Sequence, residues 1–137
     1  MERGHRTVAH TADVAVELRA PSEETLLIEG ARAVIGLLTE DAVLPCDATR
    51  ELRLESIDPE DRLVRWCNEV LWLATSEGFL TADAVVHLHG GGLHATLQGA
   101  ANCKGLLRTE LKSVTYHDVH ILRDERGWVY ARVVIDV

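Results

Sequence analysis

The chain has 137 residues, with 22 Asp and Glu against 14 Lys and Arg, a formal net charge of −8 with histidines neutral. That length fits one domain spanning residues 1–137, and 47% apolar with 26% charged residues is a globular composition that rules out wholesale disorder. The acidic balance argues against electrostatic binding of nucleic acid, which needs clustered Lys and Arg, but not against docking on a basic protein.

No stretch approaches the roughly 20 apolar residues that span a bilayer. Met1-Glu2-Arg3-Gly4-His5 leads into no apolar signal core. Cys46, Cys67 and Cys103 are odd in number and far apart, with no CxxC and no zinc-knuckle spacing. The expectation is a cytoplasmic protein with reduced thiols.

Ala12, Val14, Val16 and Leu18 alternate with Asp13, Ala15, Glu17 and Arg19, the period of a half-buried strand. Ser22 then caps a helix with Glu23 and Glu24 in its first turn, where the helix dipole favours acids. Leu27, Ala31, Val34, Ile35 and Leu38 make its buried stripe. Thr49 to Ile57 alternates as a second strand, with Leu52, Leu54 and Ile57 facing inward.

Asp58 before Pro59 opens a second helix, Leu63, Cys67, Val70, Leu71 and Ala74 form its stripe, and Gly78 stops it. Trp66 and Trp72 widen that stripe and read as core. Four strands follow. Gly90-Gly91-Gly92 joins the first two, and Arg123 to Gly127 joins the last two. The packing expected from this order is α+β and two-layered, a mixed sheet of about six strands with both helices on one face.

Four groups of residues can carry chemistry. Asp13, in the run His10-Thr11-Ala12-Asp13, lies out of phase with the apolar positions; it reads either as a capping or solvated carboxylate or as a ligand for a hard cation. Asp136 points off the apolar face of the last strand, one residue before the terminal carboxylate of Val137. With Asp13 from a neighbouring strand, these oxygens would suit calcium or magnesium. In Glu110 to His117 the alternation slips near His117-Asp118, as at a β-bulge, and Lys112 and His117 can supply a charge and a proton carrier, or merely decorate an edge strand. His87, His89 and His94 flank the glycine turn; zinc is conceivable there, but surface histidines are preferred.

At four segments the sequence resembles the archease family, the small proteins that assist the RtcB-type RNA ligase of tRNA splicing and RNA repair. They are His10-Thr11-Ala12-Asp13, Leu63 to Leu71, Glu110 to His117, and the closing Arg132-Val133-Val134-Ile135-Asp136-Val137. The resemblance implies a two-layer α+β fold with no enzymatic activity of its own. It implies an activator that speeds guanylylation of the ligase and lets it turn over many times. It makes Asp13, Asp136 and Val137 metal ligands, with calcium favoured and magnesium admissible. It makes Lys112 an activation residue, with Tyr116, His117 and His10 as further candidates.

The chain departs from the family in having Gly99-Ala100 for the frequent Gly-Glu, no glycine in Arg19-Ala20-Pro21-Ser22, and Lys112-Ser113-Val114-Thr115 for the usual Lys-Ala-Val-Thr. The alternatives are a metal-dependent hydrolase or small-molecule enzyme built on Asp13 and Asp136, which needs a deep pocket, and a chaperone-like binding module, which needs a large apolar patch.

Overall fold

The structure is a computed structural model and describes residues 2–9 and 13–137. In chain order come β1 (Gly4–Ala9), β2 (Asp13–Ala20), α1 (Glu23–Thr39), β3 (Ala48–Glu55) and α2 (Pro59–Trp72), which a π-helical turn, Leu73–Glu77, continues. Then follow β4 (Leu80–His89), β5 (Gly92–Ala100), a short turn at Lys104–Leu106, β6 (Ser113–Arg123) and β7 (Val129–Asp136).

The α+β class and the two helices agree with the sequence reading, but the single mixed sheet does not. Among the described residues the strands form a four-stranded sheet, β1-β2-β7-β6, and a three-stranded sheet, β3-β5-β4. Every neighbouring pair is antiparallel. Strand β1 escaped the sequence reading because His5, Arg6 and Thr7 are all exposed and give no alternation. It is an edge strand, paired along its length with β2.

The helices begin where the capping residues dictate. Ser22 Oγ accepts from the Thr25 N–H at 3.1 Å, and Asp58 Oδ1 accepts from the Asp61 N–H at 2.8 Å. Gly78, at φ 71, ends the π-helical turn in the left-handed region that glycine adopts without strain. Helix α1 packs on β2 and β4, and α2 on β6 and β3, so each helix touches both sheets. One core results, running from Val16, Leu18, Val133 and Ile135 through both helices to Leu93, Ala95 and Leu97.

Trp66 belongs to it fully, its indole N–H donating to the Leu27 carbonyl. Trp72 does not. It is 51% exposed, because it lies on the far side of α2 from the core. Ile57 is likewise 87% exposed, since β3 ends at Glu55 and the chain has already turned toward the Asp58 cap.

Two sets of polar contacts orient the helices. Arg62 grips Glu23 with Nε to Oε2 at 2.6 Å and Nη2 to Oε1 at 3.3 Å, both side chains being buried. Its Nη1 donates to Ser56 Oγ at 3.2 Å, and that hydroxyl donates to the Gly91 carbonyl at 2.6 Å. The starts of both helices, the end of β3 and the β4–β5 turn are thereby tied together.

On α2's other side, the Asn68 amide donates to the Val114 carbonyl and accepts from the Val114 N–H, each at 2.8 Å. One side chain thus does for the edge of β6 what a further strand would do. Two turns of helix away, Tyr116 OH donates to Asp61 Oδ1 at 2.6 Å, Ile57 N–H donates to Oδ2 at 3.0 Å, and Arg65 Nε donates to the same carboxylate. The tyrosine hydroxyl first, and then the Ile57 amide, hold the Asp61 carboxyl below its ordinary range; the same contact raises the Tyr116 phenol.

Arg62→Met leaves the Glu23 carboxylate buried without its cation, and an unfolding titration should show a loss of about 3–5 kcal/mol. The double variant Glu23→Leu/Arg62→Met should lose less than the single one.

Tyr116→Phe should cost about 1 kcal/mol near neutral pH. Asp61's lowered value makes its contribution present above the unfolded carboxylate range and lost as pH falls through the folded value. Tyr116's raised value makes its contribution present below the ordinary phenol range and lost as pH rises through the folded value. Melting temperature against pH should therefore be flatter at both ends in the variant; equal curves would show that the contact contributes nothing.

Candidate functional site

The face of the four-stranded sheet turned away from the main core carries, along β2, Asp13, Ala15, Glu17 and Arg19, since side chains alternate across a strand. The register sets Asp13 directly opposite Asp136, and Asp136 directly opposite Ser113. A row of three oxygen-bearing side chains therefore crosses β2, β7 and β6 at one end of the sheet. Lys112 adjoins the row, its N–H donating to the Asp136 carbonyl at 2.8 Å, and Val137 follows Asp136.

Asp136, Val137 and Lys112 are exposed. Asp13 is half-buried, with Oδ1 shielded from solvent. Two carboxylate side chains thus occupy directly opposed positions at this end of the sheet.

The next row along is different. Ala15 and Val134 are cross-strand partners, buried yet outside the main core, and Thr115 beside them donates its hydroxyl to the Val134 carbonyl at 3.1 Å. Beyond them Glu17 pairs with Arg6 at 2.9 Å and faces Arg132 at 3.8 Å. A cleft of about 460 Å³, lined by His5, Arg6, Glu17, Arg19 and Tyr130, lies at that end of the sheet, away from the carboxylate row. The one face is thus acidic at one end and rich in arginine at the other.

The expected irregularity at His117-Asp118 is present. Between the pairs Thr115–Val134 and His120–Arg132, β6 advances five residues while β7 advances two, and Asp118 sits at φ 52. Without those three extra residues Tyr116 would stand opposite Asp136; with them Ser113 does. Ser113 is the member of the row that sequence reasoning missed, because counting back from the 123–127 loop fails unless the length of the slip is known.

The remaining candidates divide. Tyr116 is not in the row; its hydroxyl is engaged by Asp61 on α2. His117 lies in the slipped segment, its Nε2 3.2 Å from Asp118 Oδ2, both side chains exposed. His10 falls outside the described residues, as do Thr11 and Ala12.

His87 and His94 are cross-strand partners, as a two-residue turn requires. His94 Nε2 binds Glu51 Oε2 at 2.8 Å, while His87 and His89 are exposed. Among the described residues no three His, Cys, Asp or Glu side chains converge as a metal cluster. The donor set available at the row is two carboxylates, the oxygens of Val137 and the Ser113 hydroxyl. All are hard oxygen donors, which fits calcium or magnesium and not a thiophilic metal.

Comparison with known proteins agrees with this architecture. The sequence profile of the Archease protein family matches residues 5–137. Among curated relatives, an archease from Methanopyrus kandleri is 31% identical over 137 residues, covering 95% of this chain and 96% of that protein. An archease from Archaeoglobus fulgidus is 29% identical, covering 97% and 98%. The solution structure of Methanobacterium thermoautotrophicum protein 1598 superposes with a TM-score of 0.77 at 24% identity, covering 98% of this chain and 99% of that one, which speaks for the fold. The chain belongs to the archease family.

Proposed function

We propose that the protein is a non-enzymatic activator of an RtcB-type RNA ligase, speeding transfer of GMP onto the ligase and allowing many rounds of RNA joining in tRNA splicing or RNA repair. The observation that carries this reading is the row Asp13–Asp136 with Lys112 and Val137 at the exposed end of a sheet. Such a row is a contact patch, with charged groups of both signs and a donor set for a divalent cation.

Calcium is the metal we assign, with magnesium as the competitor. Asp13, Asp136 and a main-chain oxygen of Val137 would hold it. The cation would balance the negative charge of the carboxylates that hold it and present positive charge to the partner.

A net charge of −8 favours approach to a basic, RNA-handling enzyme and disfavours direct binding of RNA. Docking need only bind better to the ligase conformation in which nucleotide, metal and acceptor side chain are aligned. A difference in affinity between two ligase states then shifts their populations. Lys112 would contact the partner at this patch, whereas Tyr116, through Asp61, would act by holding α2 against β6.

The test is GMP transfer to the cognate ligase and RNA joining under substrate excess, with and without this protein. Many turnovers only in its presence are expected. Asp13→Asn, Asp136→Asn and Lys112→Ala should fold normally and lose most of the stimulation. Calcium should raise the melting temperature of the parent protein and not that of Asp136→Asn, because an ion bound only by the folded state stabilises it by mass action. Full stimulation by both aspartate variants would sink the patch, and no stimulation of an active ligase across metals and nucleotides would sink the function. Raising the salt concentration should slow association, as screening weakens steering.

A further inference from the structure

The three-stranded sheet ends at β3, and that edge is built differently from the others. The β6 edge of the four-stranded sheet is closed at Val114 by Asn68. At the β4 edge, Arg32 of α1 donates to the Ala82 carbonyl at 3.1 Å and lies 3.6 Å from Asp83. β3 is eight residues long, with no proline, glycine or register shift. What blunts this edge is charge alone, Glu51, Arg53 and Glu55 on its exposed face, and those charges are of both signs.

The direction of its free backbone groups follows from the ladder. Ser56 N–H donates to the Gly91 carbonyl, so even-numbered residues of β3 bond to β5. The N–H and C=O groups of Thr49, Glu51, Arg53 and Glu55 then point outward. Their side chains share the exposed face, while Leu52 and Leu54 on the other face are only half-buried.

We propose that two copies of this chain pair antiparallel through β3 about a two-fold axis at Leu52, merging their three-stranded sheets into one. A second copy is the occupant because the edge complements itself. An axis at Leu54 would also set Arg53 against Glu55, but it would leave Glu51 opposite Ile57, beyond the strand, whereas an axis at Leu52 uses the strand from Thr49 to Glu55. About Leu52, Glu51 of each copy lies opposite Arg53 of the other, in rungs whose outward N–H and C=O groups meet. Thr49 lies opposite Glu55, and Leu52 meets its own counterpart across the axis. Moving the axis to Glu51 sets that residue against itself, and moving it to Arg53 does the same for the arginine, in both cases like charge against like.

Arg53 is exposed and in no salt bridge among the described residues, whereas Glu51 already holds His94 and Thr96 of its own chain and would share its carboxylate with the second copy's Arg53. The pairing would also cover Leu52, which one chain leaves partly open. At the start of the strand the Thr49 carbonyl already accepts from Arg50 Nη1 at 2.9 Å, so the contact is centred on residues 51–53. Such an interface is isologous and closes as a dimer. It is independent of the ligase reading, since Asp13 and Asp136 lie on the other sheet.

The experiment is sedimentation equilibrium from micromolar to millimolar protein on the parent chain, on Arg53→Glu, on Glu51→Arg, and on an equimolar mixture of the two variants. The parent should dimerise reversibly. Each variant alone should associate about tenfold more weakly or not at all, since both central rungs become repulsive. The mixture should recover the dimer, because the reversed charge of one variant meets the unreversed charge of the other.

Amide exchange on the parent needs no substitution. The Glu51, Arg53 and Glu55 amides should slow as concentration rises, while Leu52, already bonded to β5, should not change. A parent that stays monomeric to millimolar concentration overturns the proposal. So does a dimer indifferent to both charge reversals, and so does a mixture that fails to recover.

Discussion

The bidentate Glu23–Arg62 pair is the constraint on which the rest of the molecule depends. It joins the first turn of α1 to the first turn of α2, and through Ser56 it reaches the β4–β5 turn. Two helices that each touch both sheets have several ways to lie in an apolar core, because hydrophobic burial is non-directional. A buried ion pair is directional. Its worth here is less net stability, which well-packed apolar groups can match, than the penalty it sets on every arrangement that separates the two charges.

Once the helix starts are fixed, the reach of α2 across the four-stranded sheet follows. Asn68 meets the edge of β6, and Asp61 meets Tyr116. These contacts hold β6 on the side where it slips past β7, and that slip brings Ser113 to Asp136. The carboxylate row is therefore supported from behind by a chain of polar contacts that begins at a buried arginine. The apolar strand segments beside the row, Val14, Val16, Val133 and Ile135, sustain the pairing of the strands that carry it.

Much of this was legible in the residues. Ser22 and Asp58 mark the helix starts, and the stripes Leu27 to Leu38 and Leu63 to Ala74 become core, because caps and periodicity are local physics. Asp13 and Asp136 could be put on one face by alternation, but setting them directly opposite required the register between strands more than a hundred positions apart, which no local pattern encodes.

The division into two sheets was not legible for the same reason. β-strand order depends on which edges the helices cover, and each helix here covers parts of both sheets. Trp72 misled because aromatic bulk resembles burial; its place on the helix circumference faces away from the core. Tyr116 was legible as a candidate through its neighbours, yet its hydroxyl is committed to Asp61, a contact that only the packing of α2 on β6 creates.

The slip in β6 also has a meaning in chain length. Three extra residues is an odd number, so the two halves of the strand present opposite parities: even-numbered Val114 and odd-numbered Ile121 both face the core. Residues 116–119 therefore act as a spacer that converts one parity into the other. Gain or loss of one residue there would turn either the Ser113 end or the His120 end over, sending polar side chains into the core or apolar ones out. A change of two residues would keep both faces. The loop between β6 and β7, lying outside the paired strands, carries no such arithmetic. Length variation among related chains should therefore be free in that loop and come in even steps within the spacer.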